Sequence, residues 1–561
     1  MLGVRYNQID MSLPLYFKRW RNEFFTVFGG ILALYWGTLS KVVSASHDSI
    51  GTVIWIERDP IATTFHAHHL LFNAFMAVCV RLFRFIGVDL STSVLVSGIN
   101  ACFMAATLGL IYLLLRSRIR MGKRNALIGI ALSASSFSVW FYSVSVEVYA
   151  IPVFLSIICL LLLIEPKLSK RRVVILGFIH GLSVLFHIMN AMLVVPILWV
   201  LISEYRKKWV AWQHLVLYLG VAGVVTLGVY VAIGAGVRGF THPGDLLNWI
   251  LPHLTEKEQY QVSFLSLKSW VQIFVGFARS LIGAHFLFGI TFVKHFASKL
   301  SPGSFLIDEV YLVRHLSGWV GYLLLGLSGL FGMACLSLLA RFFYLARRGR
   351  LFLLENRLFT VFSISFVLYA WFAAYFDPTT NEFWILPIIL LWTLLIIMGV
   401  CVKKTIGFDA LSRRLFFAIA ILLFVINYGG SMHFIRQAKN DYYLNQVTPL
   451  SGVATKNDFL VIGRYWQFGD YVKYYLDVPF VSLSSYFESE EGGHELSGLQ
   501  ARIQSTLSSG NHVFISPEAI EIETSTQSVF GVDPAVIESL WAPYKGRWQR
   551  RVIEGGVYYV L

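Results

Sequence analysis

The sequence predicts an all-α polytopic membrane protein of about eleven transmembrane helices, followed by a small soluble α/β domain. Three observations predict it. Of the 561 residues, 56% are hydrophobic and only 14% are charged, and the mean hydropathy is +0.65. A soluble globular chain is nearer a quarter charged. Short Lys/Arg clusters recur between long apolar runs, and near Gly430 those runs give way to ordinary polarity.

In chain order the apolar windows fall near 24–44, 92–115, 126–143, 148–164, 173–189, 190–203, 212–234, 317–342, 358–376, 383–402 and 411–429. A crossing takes roughly 20 apolar residues, so 173–189 and 190–203, each short and with no obvious loop between them, are the tightest pair. The first window follows Lys18, Arg19 and Arg21 without a small-residue cleavage site, so it reads as a retained helix. The basic clusters at 116–124, 167–172, 206–208, 347–350 and 403–414 all fall on the cytoplasmic side if the N-terminus is cytoplasmic. That is the positive-inside pattern, and it explains the net charge of +14 without a nucleic-acid partner.

Two apolar stretches stay out of the count. Segment 68–86 carries Arg81 and Arg84, and segment 269–290 carries Arg279 and His285. Counting either as a span would put a basic cluster outside, so both read as amphipathic helices on the outer face. The external loops are then 45–91 and 235–315, within a membrane domain of residues 1–430. The five cysteines all lie in apolar segments with no CxxC pair, and read as small core residues rather than disulfides or metal ligands.

Residues 431–561 alternate apolar runs (Phe459–Gly463, Phe480–Leu483, Val513–Ser516, Val557–Leu561) with helix-like stretches at 466–475, 496–508 and 533–541. This pattern predicts the soluble α/β domain, on the external side. It contains no GxGxxG after a strand and no P-loop, so nothing in it argues for a nucleotide.

The informative polar residues all fall on the external side: Asp48, Glu57 and Asp59; His66, His68 and His69; Glu147 and Tyr149; His187 and Asn190; Arg279, His285 and Lys294; Asn381 and Glu382. Charge beside lipid is costly, so a cluster of this kind marks a functional site by default. Arg279 is the best candidate for gripping a phosphate, because a guanidinium does so bidentately. His285 and Lys294 are further candidates, with snorkelling cations as the alternative. Glu147 is placed either to contact substrate or to favour a helix N-terminus. His187 and Asn190 either line the site or pair between helices, and Asn381 and Glu382 either contact substrate or cap the helix that starts there. Glu57 and Asp59 flank Arg58, which leaves an ion pair as an open alternative. The HxHH spacing lacks the i,i+4 separation usual for two metal ligands on one helix face, so substrate contact ranks above metal binding.

Together these motifs resemble the GT-C membrane glycosyltransferases, in particular their protein O-mannosyltransferase-like and aminoarabinose-transferase-like branch. The resemblance rests on His-Asp-Ser at 47–49 in the first external loop, the His66, His68 and His69 turn leading into Leu70-Leu71-Phe72-Asn73, Glu147 to Tyr149, Phe186 to Asn190, and Asn381 to Trp384. It covers most of residues 1–430 and none of the tail.

The resemblance implies a donor sugar carried on a polyprenyl phosphate, an acceptor hydroxyl on a glycan, lipid or protein, and Asp48 as the catalytic carboxylate. Many relatives carry two adjacent acids where this chain has Asp48 and Ser49. It makes no cofactor certain, and a divalent cation stays open. The expected setting is an inner (plasma) membrane, with the site on the periplasmic face. A polysaccharide polymerase or ligase is the alternative that the 235–315 loop keeps open. A secondary transporter is disfavoured by the apolar mid-spans and the lack of an internal repeat.

Overall fold

The computed structural model describes residues 13–46, 48–165, 168–205, 210–251, 266–293, 307–347, 357–401, 410–463, 466–487, 496–520, 534–553 and 556–561. The chain divides into two compact units. The first comprises Met1–Leu39, Asp59–Ala284 and Gly326–Gly429; the second comprises Ser40–Arg58, His285–Leu325 and Gly430–Leu561. The second unit therefore contains more than the C-terminal tail: it also takes in a segment of each expected external loop.

Among the described residues, six helices are long and apolar enough to cross a membrane: Thr92–Ser117, Trp212–Gly236, Gly318–Leu345, Arg357–Phe376, Asn381–Gly399 and Ala410–Ile435. The pair Lys123–Ser135 and Phe137–Val144, bent by 67°, makes a seventh if taken as one span. Helices Leu13–Trp36, Ala150–Leu163, Lys170–Phe186 and Val194–Tyr205 occupy further windows of the expected eleven, most of them shorter than a full crossing.

Local chemistry explains the departures from straight spans. The expected 126–143 span breaks at Ser136, whose backbone is extended. Its hydroxyl donates to the Leu132 carbonyl (2.8 Å) and accepts from the Trp392 indole (2.9 Å). The Asn427 amide donates to the Ser135 carbonyl (2.7 Å). A break in a buried helix persists because neighbours satisfy the freed backbone groups. The first helix ends at Trp36 rather than near Ser44. There Thr38 Oγ1 donates to the Leu34 carbonyl (2.8 Å), and the β-branched Val42 turns the chain extended. Between the 173–189 and 190–203 windows, His187 is extended and a 3-10 stretch, Ile188–Leu193, separates the two helices.

Segments 68–86 and 269–290 contain helices Phe72–Phe85 and Leu267–Leu281. In the latter the small polar face (Ser269, Gly276, Ser280) is buried, while Leu267, Trp270 and Phe274 are exposed. A Cβ on Gly276 would sit 1.6 Å from the Pro378 carbonyl oxygen, so only glycine permits this approach.

The sheet in the second unit has the order β2-β1-β3-β5-β4, with β1 Phe459–Ile462, β2 Phe480–Ser482, β3 Val513–Ile515, β4 Gln549–Ile553 and β5 Gly556–Val560. β1 pairs in parallel with β2 and β3, and β5 runs antiparallel to β3 and β4. Side chains alternate along a strand, so each face carries its own core. Leu460, Ile462 and Phe514 pack with Tyr443, Phe468, Tyr471 and Val472, and this core also takes in Ile50. On the other face, Phe459, Val461 and Val513 pack with Leu499, Ile503, Leu540 and Trp541.

Candidate active site

In the first unit, the sequence Phe65-His66-Ala67-His68-His69 forms a tight turn. His66 Nδ1 accepts from the His68 N–H (3.3 Å), capping the 3-10 stretch Ala67–His69. The rings of His66 and His69 stack with centroids 4.5 Å apart, and His68 meets His66 edge-on at 5.3 Å. The turn is held from several sides. The Tyr230 hydroxyl donates to the Ala67 carbonyl (2.5 Å), Arg238 to the Phe65 carbonyl (2.5 Å), and the Leu71 N–H to the Leu185 carbonyl (3.1 Å). Leu70, Leu185, Tyr230 and Ile233 form the apolar core under it.

Burial holds His69 well below the usual histidine pKa, and the nearby His66, His187 and His68 push it further down. Its ring is therefore neutral at physiological pH. Among the described residues its Nδ1 is buried without a hydrogen-bond partner.

His187 lies 5.0 Å from the Tyr149 ring, and the Tyr149 hydroxyl donates to Glu382 Oε1 (2.6 Å). The two motifs Glu147–Tyr149 and Asn381–Trp384, distant in sequence, thus meet. Glu147 is buried, its carbonyl accepting from the Asn100 amide (2.6 Å). Asn190 serves packing: its amide nitrogen donates to Ser183 Oγ (2.7 Å) and the Pro152 carbonyl (3.2 Å), and its Oδ1 accepts from the Tyr369 hydroxyl (2.8 Å). Arg279 is half-buried in the last turn of Leu267–Leu281. Next to it, Ser280 Oγ donates to Asn381 Oδ1 (3.4 Å), and Phe277 packs edge-on against Trp384 at 5.5 Å. Asp59 is half-buried in this unit.

Asp48, Glu57 and His285 belong to the second unit, and Lys294 lies outside the described residues. Asp48 is exposed immediately before helix Ser49–Glu57, where its carbonyl accepts from the Thr52 N–H (2.9 Å). Glu57 accepts from the Tyr474 hydroxyl (2.8 Å). Arg58 donates to the carbonyls of Lys473 (2.9 Å) and Tyr474 (2.7 Å) and lies over the Tyr474 ring. His285 Nδ1 meets the Ser431 hydroxyl at 2.8 Å. Asp441, which no sequence motif marks, is fully buried here. Its carboxylate accepts from the backbone N–H groups of Val43, Ser44 and Leu444 and from the Tyr471 hydroxyl. Burial raises its pKa, while these hydrogen bonds oppose the rise.

Among the described residues no three His, Cys, Asp or Glu side chains gather as a metal ion requires, so no chemical step is assigned to a cation.

The family model of the protein O-mannosyl-transferase TMEM260 N-terminal domain matches residues 70–210. This covers Glu147, Tyr149, His187 and Asn190 and begins just after His69. No curated protein sequence matches the chain. Among solved structures, the chain is similar to ArnT from Cupriavidus metallidurans bound to undecaprenyl phosphate, at 12% identity and a TM-score of 0.50, covering 97% of this chain and 98% of that one. For ArnT in the apo state the values are 11%, 0.52, 96% and 98%. An Archaeoglobus fulgidus oligosaccharyltransferase tethered to an acceptor peptide follows at 12% identity and a TM-score of 0.49, covering 93% of this chain and 72% of that one. The protein is thus a multi-pass membrane protein with the fold of the GT-C glycosyltransferases, and its residues 70–210 match the N-terminal domain model of a protein O-mannosyltransferase family.

Proposed function

We propose that the protein is an integral-membrane glycosyltransferase that moves a sugar from a polyprenyl-phosphate donor to an acceptor hydroxyl at the external face, with Asp48 as general base. The observation that carries this reading is the likeness, over nearly the whole of both chains, to a transferase structure that holds undecaprenyl phosphate. Asp48 takes the proton of the acceptor hydroxyl as that oxygen bonds to the anomeric carbon. The bond between that carbon and the phosphate oxygen breaks, and polyprenyl phosphate leaves with the electron pair. Exposure of Asp48 supports the role, since a base has to reach its acceptor. Arg279 is the cation assigned to the charge developing on the leaving phosphate. His66, His68, His69, His187 and Glu382 are assigned to substrate contact. Glu57 is assigned to holding the loop, given its bond to Tyr474.

The test is mass spectrometry of envelope glycans and glycoproteins from the native host, a deletion strain, and the deletion complemented with wild type or Asp48→Asn. One sugar should vanish on deletion, return with wild type and stay absent with Asp48→Asn, which also identifies the acceptor. Full activity of the Asp48→Asn protein removes the base. An unchanged glycan profile on deletion, without build-up of lipid-linked precursor, removes the transferase reading.

A further inference from the structure

We propose that Asp441 is a positioning residue that holds the Asp48 segment in its working place, so that the C-terminal α/β domain acts in catalysis rather than as an attachment for acceptor recognition alone. This rests on the reading of Asp48 as the base.

The argument lies entirely within the second unit. Asp48 sits in a stretch of chain held on both sides. On the N-terminal side, Asp441 Oδ2 accepts from the Val43 N–H (2.8 Å), the Ser44 N–H (3.3 Å) and the Tyr471 hydroxyl (2.6 Å). Asp441 Oδ1 accepts from the Leu444 N–H (3.0 Å), which fixes the carboxylate at the start of helix Tyr442–Val447. The Gln467 amide also reaches the Ser46 carbonyl (3.4 Å). On the C-terminal side, Glu57 and Arg58 are bonded to Tyr474 and Lys473, at the end of helix Trp466–Tyr475. Between the two sides, Ile50 is buried in the core of the α/β domain, and a Cβ on Gly51 would lie 3.4 Å from Asp470 Oδ2.

The chemistry singles out Asp441. One carboxylate oxygen gathers three donors from two distant parts of the chain, in a site with no access to solvent. An amide in its place cannot do this. With its nitrogen toward Val43, Ser44 and Tyr471 it offers a donor to donors; flipped, it offers one to the Leu444 N–H. In the first orientation the Val43 and Ser44 N–H groups lose their acceptor; in the second they keep it, but the group that carries it loses its anchor on the Leu444 N–H at the helix start. The loop then stays attached through Glu57 and Arg58 but is held less firmly ahead of Asp48. A base displaced by about 1 Å loses much of its effect while substrate binding elsewhere persists.

The test uses the full-length protein in detergent, in wild type, Asp441→Asn and Tyr471→Phe forms, with Asp48→Asn as control. Hydrogen exchange read by mass spectrometry should show faster exchange over 43–57 in Asp441→Asn, with the β1 and β3 strands still protected. With a lipid extract of the host envelope as donor source and host membranes as acceptor, kcat should fall by about 10- to 100-fold, while the half-saturating amount of extract stays unchanged. Tyr471→Phe, which removes one of the donors and keeps the ring, should fall between Asp441→Asn and wild type, and it decides the matter if Asp441→Asn does not fold. The proposal is overturned if exchange over 43–57 or kcat is unchanged in both variants, or if β1 and β3 lose protection equally with the loop. Activity of the Asp48→Asn control would remove the base reading alone, because the exchange data still report whether the segment is held.

Discussion

Asp458 is buried at the turn before β1. Desolvation raises its pKa, but the N–H groups of His512 and Thr455 and the Thr455 hydroxyl outweigh that and hold it below the usual carboxylate value. A depressed carboxyl stabilises the fold fully above its unfolded pKa of about 3.9, and that contribution is lost as pH falls through the folded value. Asp458→Asn should therefore cost about 2 kcal/mol near pH 7, and the gap to wild type should narrow at pH 3, as read by thermal unfolding at both pH values. Arg279→Ala should weaken donor binding, measured as a raised half-saturating amount of host lipid extract, while unchanged affinity removes Arg279 from its assigned role. The residues with a motif around them, Asp48, the HxHH turn and Glu147–Tyr149, could be proposed from the sequence. Asp441 was not. It sits in Ala-Lys-Asn-Asp-Tyr-Tyr, an ordinary polar stretch, and its role exists only because residues 43–44 fold onto it.

At the scale of elements, legibility follows burial. β1, β2, β3 and β5 carry apolar runs and were expected; β4, Gln-Arg-Arg-Val-Ile on the sheet edge, has almost no apolar run and was not. The bend at Ser136 was also hidden, because the partners that make it tolerable, Trp392 and Asn427, lie far along the chain. Helix Leu267–Leu281 depends on Gly276. Gly276→Ala should shift the helix off the Pro378 carbonyl and destabilise the protein by about 3 kcal/mol or more, seen as a fall in Tm in detergent. The link between helices Thr92–Ser117 and Lys170–Phe186 runs through Glu165, which is almost fully buried and pairs with Arg118 and Arg172. Removing one partner of such a group leaves uncompensated charge, so Glu165→Ala should cost about 3 kcal/mol, measurable in the same way.

For the whole molecule, hydropathy and the basic clusters were enough to predict a polytopic chain, because bilayer thickness and lipid exclusion of charge act on composition directly. They did not foresee the composition of the second unit, whose pieces at 40–58 and 285–325 come from apparently separate loops. Loop docking leaves no periodic trace in a sequence. The topology itself is testable: a C-terminal alkaline phosphatase fusion should be active, and a cytoplasmic-only reporter at the same position silent. The reverse pattern would place the α/β domain inside the cell.

The clasp between Asp441 and Val43 joins residues 398 positions apart. Ribosomes add roughly 5–20 residues per second, so the loop bearing Asp48 waits roughly 20 to 80 s after its synthesis for the partner that orders it. The nascent chain therefore carries this loop without its clasp, and a chain cut short anywhere before residue 441 keeps the loop unclasped. Quality control would read such a chain at its first loop, long before the missing tail.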